Sequence, residues 1–127
     1  MRRAFLLALV ALAGGCSMMP SSGKTFVVFF SSDSAAVDPQ GEAILGAAGD
    51  YARAHPDRPV VVAGYADPNG TPAASNEVAR ARIVAAVKGL VAAGVMPNRI
   101  QRRDEGAVPF ALNSQESRRV EIAVGKP

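Results

Sequence analysis

The sequence predicts an α+β fold, an α/β sandwich in the order βαβαββ with two main helices packed on a mixed four-stranded sheet. Three observations lead there. Two segments with helical spacing of apolar residues alternate with short runs rich in β-branched and aromatic residues. A final stretch alternates polar and apolar residues, as a half-buried strand does. Proline, glycine and serine clusters separate these segments, so strands and helices interleave and the helices must cover a sheet.

Each element has its own justification. Thr25–Phe30 (TFVVFF) is aromatic and β-branched and reads as the first strand. Ser31–Ala36 is a loop, and Asp38-Pro39 supplies an N-cap followed by proline at the first helical position. Ile44, Leu45, Ala48, Tyr51 and Ala52 give that helix an apolar face, and it ends near His55-Pro56. Gly46 and Gly49 weaken it by up to ~1 kcal/mol each, or else permit close packing on the sheet. Val60–Ala66 is almost continuously apolar, which suits a strand that is central or covered on both faces. Asn76–Ala93 carries Val78, Ile83, Val87 and Leu90 at helical spacing, and Gly94 stops it. Ser75 can cap this helix.

Pro97-Asn98 is a turn, and Arg99–Glu105 reads as a third, highly charged strand. Gly106–Glu116 is a loop. Arg118–Val124 places Val120, Ile122 and Val124 on one face of a last strand. The chain has no tryptophan. Its core must therefore come from Val, Ile, Leu and Ala, with Phe26, Phe29, Phe30 and Phe110. No internal repeat is visible.

The front of the chain reads as a targeting segment. Arg2 and Arg3 precede an apolar run, Ala4–Ala13, too short to span a bilayer, which needs ~20 residues. The single cysteine, Cys16, excludes an intrachain disulfide. Ala13-Gly14-Gly15-Cys16 resembles the lipobox of bacterial lipoproteins, with Ala13 where leucine is usual. The resemblance implies lipidation of Cys16, and Ser17 after it favours the outer membrane. Ordinary cleavage near Gly15 is the alternative. The expected organisation is a signal peptide at 1–15, a lipidated cysteine and short polar linker at 16–24, and one domain at 25–127. Ser17–Lys24 fully extended reaches only about 26 Å, so a lipid anchor would hold the domain close to its membrane. Without Arg2 and Arg3 the 14 basic residues fall by two against 11 acids, and no basic run remains to bind nucleic acid.

Val60–Arg82 is the stretch most informative about function. An apolar strand ends on Asp67, a Pro/Gly/Ser-rich loop follows, and a helix presents Arg82 on its second turn. Anion and cation then face each other across one strand-to-helix crevice. Such a crevice suits a ligand carrying both charges, such as an amino acid head group.

From Phe26 to Val124 the chain resembles the OmpA-like peptidoglycan-binding domain family, which includes the C-terminal domain of OmpA, Pal and the periplasmic part of MotB. Phe30…Asp33…Val37 is similar to its first-strand motif. Gly64-Tyr65-Ala66-Asp67-x-x-Gly70 resembles Gly-(His/Tyr/Phe)-(Ala/Thr)-Asp-x-x-Gly. Val78-Ala79-x-x-Arg82 resembles Leu-Ser-x-x-Arg, and Gly94-Val95-x-x-x-Arg99-Ile100 matches the turn after the second helix. Ser117-Arg118-Arg119-Val120-Glu121-Ile122 resembles Asn-Arg-Arg-Val-Glu-Ile. The departures are Ser75 for the helix-start asparagine, with Asn76 one residue later, Asp104 and Ala107 in the family's Gly-x-Gly-Glu, and Ser117 for asparagine.

The resemblance implies binding to the meso-diaminopimelate of an uncrosslinked peptidoglycan stem, with Asp67 on its ammonium and Arg82 on its carboxylate. Arginine grips a carboxylate with two parallel donors. A lysine-type stem lacks that carboxylate. Ser75, Asn76 and Arg118 belong to the matching positions. Asp33 reads as a second wall of the site or as a loop cap. Tyr65 reads as a stacking residue or an ordinary half-buried strand residue. Of Arg118 and Arg119, one faces the ligand side or the core edge and the other faces solvent.

Three functional classes compete. The leading one is a non-catalytic outer-membrane lipoprotein, facing the periplasm, that tethers the envelope to peptidoglycan. The second is an assembly lipoprotein contacting proteins of a Tol type. The third is a cell-wall hydrolase using Asp33, Asp67 or Glu105, but no Ser-His or Cys-His arrangement is apparent. No cofactor is expected. A histidine or thiolate metal cluster cannot be assembled, because His55 and Cys16 are the only such residues.

Overall fold

The sheet is mixed, and its pairing explains why one strand is so apolar. The computed structural model describes residues 23–68, 70–107 and 114–125. The expected signal segment, Cys16, most of the linker, and Phe110 lie outside the described residues. The strands are β1 (Lys24–Phe29), β2 (Val60–Ala66), β3 (Ile100–Ala107) and β4 (Arg119–Val124), in the spatial order β1-β4-β2-β3. β4 runs antiparallel to both β1 and β2, whereas β3 runs parallel to β2. β2 is thus an inner strand, which accounts for its apolar run.

Two long helices, α1 (Pro39–Ala54) and α2 (Pro72–Ala92), cover one face of the sheet. Val28, Val60, Val62, Val120, Ile122 and Val124 point into that layer and meet Leu45, Ala48, Ile83 and Leu90 in one core. The opposite face keeps the alternate residues. Phe29 lies there and is 42% exposed, so it does not join the core as the sequence suggested. Phe30, one residue on, turns inward and is buried. The pleat alternates sides at every residue, so the aromatic pair cannot share a face.

Helix ends follow side-chain chemistry. The Asp38 carboxylate accepts from the Gly41 backbone N–H at 2.6 Å, which opens α1 where expected. α2 opens earlier than the sequence suggested. Thr71 caps it by accepting from the Ala74 N–H at 3.2 Å, and Pro72 takes the first helical position. Ser75 therefore lies within the helix, and Arg82 sits a turn deeper than expected. Gly94, at φ 95°, ends the run in a conformation that favours glycine.

A short 3₁₀ turn at Pro97–Arg99 precedes β3, and a four-residue helix, α3 (Ser114–Ser117), forms at the end of the expected loop and runs one residue past it, before β4. Arg99 donates to the carbonyls of Ala52, His55 and Arg58 at 2.8–2.9 Å, tying the end of α1 to the start of β3.

Two glycines show where close approach matters. A β-carbon at Gly64 would stand 2.6 Å from the Ala79 carbonyl oxygen and 2.6 Å from Ile83 Cγ1, so its absence lets α2 lie down on β2. A β-carbon at Gly49 would strike Ala93 of the neighbouring helical segment, so its packing role is not against the sheet. A β-carbon at Gly46 meets nothing within 4 Å.

These environments predict opposite outcomes. Gly46→Ala should raise stability by about 0.5–1 kcal/mol, because it removes only the helix-interior cost of glycine. Gly64→Ala should lower it by about 1–3 kcal/mol through overpacking. Urea unfolding of the two variants beside the parent chain checks both signs.

Candidate functional site

One end of the sheet gathers the charged residues singled out in the sequence. The C-terminal ends of β1 and β2, the start of β4 and the first turns of α2 converge there. A concavity of about 40 Å³ is lined by Asp33, Asp67, Ser75 and Arg82 over apolar Ala66 and Val78. So small a space encloses only the tip of a ligand.

Arg82 is the floor of this site, and it is buried at 1% exposure. Its Nε donates to the Ser34 carbonyl at 2.8 Å, Nη1 to the Tyr65 carbonyl at 3.0 Å and Nη2 to the Ser31 carbonyl at 3.0 Å. The guanidinium also lies 5.4 Å from the Phe30 ring centroid. It therefore joins the β1–α1 loop to β2. A guanidinium has five N–H donors, so these bonds leave one N–H on each Nη. Burial pushes the Arg82 pKa down, and the Asp67 charge opposes that shift most strongly, with Arg118 adding to it and Asp33 opposing it.

Asp67 is fixed at both ends. Its carbonyl accepts from the Ser75 hydroxyl at 3.0 Å. One carboxylate oxygen, Oδ1, accepts from the Ser117 hydroxyl, and the other, Oδ2, lies 3.7 Å from Arg118 Nη1. Asp67 does not cap α2, since Thr71 does that. Arg118 Nε donates to the Phe30 carbonyl at 3.2 Å, while the Phe30 N–H donates to the Arg118 carbonyl at 2.8 Å. Arg118 is thus the arginine of the pair on the site side.

Asp33 lines the concavity from the β1–α1 loop, with φ at 51°. Aspartate tolerates that left-handed conformation better than most residues. The turn around it closes through the Ser34 N–H to the Ser31 carbonyl at 3.1 Å. Arg82 holds the carbonyls of both of these residues.

Two expected site residues fall elsewhere. The Tyr65 side chain is on the opposite face of the sheet from Arg82, because its neighbours Gly64 and Ala66 face α2 and the concavity. Its hydroxyl donates to Glu121 at 3.4 Å and its ring stacks under Arg119, 4.0 Å away. Tyr65 serves the site only through its carbonyl. Asn76 does not line the concavity either. Its amide lies against Gly106, where a β-carbon would overlap it.

Glu105 pairs with Arg103 at 2.9 Å and stands apart from Asp33 and Asp67. Asp104 pairs with Arg80 of α2 at 2.9 Å, a largely exposed contact worth at most about 1 kcal/mol. Val108–Asn113 lie outside the described residues. Among the described residues, no group of three metal-ligating side chains is assembled, and no helix is long and apolar enough to cross a membrane.

Ser117 is the site residue that sequence reasoning passed over. It registered only as a substitution in a motif, and its contact with Asp67 spans 50 residues of chain. Ser31 and Ser34 were passed over too, because they act through carbonyls that any residue carries.

Comparison with known proteins agrees with this fold. The model of the OmpA family matches residues 29–122. The crystal structure of the peptidoglycan-associated lipoprotein from Burkholderia pseudomallei superposes with a TM-score of 0.71 at 26% identity, covering 76% of this chain and 87% of that one. The OmpA-like domain of FopA1 from Francisella tularensis gives 0.70 at 17% identity, covering 81% and 72%. The periplasmic domain of Helicobacter pylori MotB (residues 78–256) gives 0.69 at 21% identity, covering 84% and 78%. The last two likenesses concern the fold alone. No curated protein sequence matches the chain.

Arg82→Ala should destabilise the domain by at least about 2 kcal/mol, because it strands three carbonyls and opens a cavity. Urea unfolding measures this, and a loss under 0.5 kcal/mol would contradict the structural role. A second expectation concerns pH. Burial first, and Glu121 next, raise the Tyr65 pKa above 10.0. The folded state therefore holds the phenolic proton more tightly, and that stability is present below pH 10 and lost as pH rises through the folded pKa. Tyr65→Phe should remove this part of the alkaline loss, as read from unfolding midpoints between neutral and strongly alkaline pH.

Proposed function

The chain belongs to the OmpA family, and from that premise we propose that it binds peptidoglycan non-covalently through the meso-diaminopimelate of the stem peptide. The observation that carries this reading is the shared concavity of Asp67 and Arg82. The end of a diaminopimelate side chain bears an ammonium and a carboxylate on one carbon. Asp67 receives the ammonium, with Asp33 beside it, and the remaining N–H groups of Arg82 receive the carboxylate. A unit-charge pair at 4 Å is worth ~4 kcal/mol in an effective dielectric of 20, before desolvation.

The pattern of charge also favours selectivity. A stem ending in lysine would leave the Arg82 donors without a partner. Sites built around a polar group reject analogues lacking it more sharply than apolar pockets reject a missing methylene. The protein acts by binding rather than chemistry. In the same reading, lipidated Cys16 anchors the chain in the outer membrane, the domain faces the periplasm, and the protein tethers the envelope to its wall.

Retention on purified diaminopimelate-type sacculi tests the site. The parent chain should sediment with the sacculi, and should do so at least tenfold less with lysine-type sacculi. Asp67→Asn keeps the shape of the side chain and removes its charge, so it should lower retention about tenfold or more, with a lower unfolding midpoint from the lost support of Arg82 but a chain still folded at the assay temperature. Undiminished retention of Asp67→Asn would remove the assigned site. Release of soluble wall fragments would point to a hydrolase. Failure of the parent chain to bind would favour contact with envelope proteins of a Tol type.

A further inference from the structure

The carboxylate assigned to the ligand is itself held from several sides. Ser117 is buried at 1% exposure, and its hydroxyl donates to Asp67 Oδ1. Ser75 holds the Asp67 carbonyl at 3.0 Å. Arg118, itself bound to Phe30 through both side chain and backbone, stands 3.7 Å from Oδ2. That last distance is longer than the ~2.7–2.9 Å of a charge-assisted hydrogen bond, so Oδ2 keeps room for a second cation.

An ionised carboxylate has about four lone-pair positions. Left alone at a strand end, it would rotate about its terminal torsion, which is broad. A hydroxyl donor on one oxygen removes that freedom and decides which oxygen meets the ligand. Sites depend on such supporting bonds, because loosely held groups lose their geometry.

We propose that Ser117 is a positioning residue for ligand recognition: its hydroxyl locks the Asp67 carboxylate so that Oδ2 faces the concavity and selects ligands with a free ammonium. This rests on the reading that the concavity binds a diaminopimelate stem. The asparagine that the family pattern carries at this position is replaced by a shorter donor, and α3 brings that donor within reach by ending on Ser117.

The test uses the full chain in detergent and two soluble probes, a stem-peptide fragment ending in meso-diaminopimelate and the same fragment with that ammonium acetylated. Ser117→Ala should bind the free-ammonium fragment about tenfold more weakly, the worth of a hydrogen bond to a charged group. It should bind the acetylated fragment as the parent chain does. The ratio of the two affinities therefore falls, which a general loosening of the fold would not produce. Ser117→Thr, which keeps the hydroxyl, should restore the ratio.

Should Ser117→Ala keep the parent ratio while Asp67→Asn loses binding, Ser117 has no positioning role and the ligand assignment stands. Equal loss for both probes would also overturn the proposal, as would a threonine variant no better than alanine in a folded chain. Absence of binding by the parent chain would overturn the ligand reading and this inference together.

Discussion

A buried guanidinium holding three backbone carbonyls is the constraint around which this domain is arranged. Removing a charge from water is costly, and the lowered pKa of Arg82 reflects that cost. The compensation is specific: a donor to each of Ser31, Ser34 and Tyr65, and the Phe30 ring at its side. Because the three carbonyls come from two separate strand ends, the bonds close the β1–α1 loop onto β2. The loop so closed carries Asp33. The cation that stabilises the fold therefore also assembles the walls of the concavity, and stability and recognition cannot be separated at Arg82.

The far end of the sheet offers an instructive contrast. Arg99 also collects three carbonyls, from Ala52, His55 and Arg58. It does not line the concavity of Asp33 and Asp67, and its bonds join α1 to β3. What distinguishes Arg82 is its position between Asp33 and Asp67. Topology adds a second asymmetry. Lys24 aligns with Val124, and Val124 with Val60, at the Arg99 end. The described chain thus begins opposite the site, with the 7 residues of β2, about 23 Å, between them. With the proposed anchor at Cys16, the linker and this span would place a bound stem within about 50 Å of the lipid surface.

Much of the fold was legible because local chemistry and tertiary packing agree. β2 begins and ends at the residues the apolar run marked, and Asp38 opens α1 as its capping chemistry required. The start of α2 was misplaced because Thr71-Pro72, a good opening pair, lies inside a stretch whose Pro/Gly/Ser composition read as loop. Of the two readings of Tyr65, the structure favours the half-buried strand residue, which period-two alternation could have indicated. Gly64 must face α2 to let it approach, and that sends Tyr65 to the other face. Asp67 and Arg82 could be picked out as a pair, but not the bonds each makes at home. Those bonds go to backbone carbonyls and to Ser117, and neither leaves a periodic or compositional trace.

The balance of charge bears on how a ligand would be held. Asp33 and Asp67 stand with Arg82 and Arg118 at one sheet end, two of each sign. A zwitterion adds no net charge to this group, whereas a simple anion or cation would leave one charge uncompensated in a partly desolvated place. With only about 40 Å³ enclosed, little apolar surface is buried. On the proposed reading, each contact must then rest on the geometry of two charge pairs and stay reversible. Under the proposed anchoring, many copies on one membrane facing one polymer would supply the missing strength through effective concentration. A tether of that kind yields locally without losing the wall, because no single bond has to be strong.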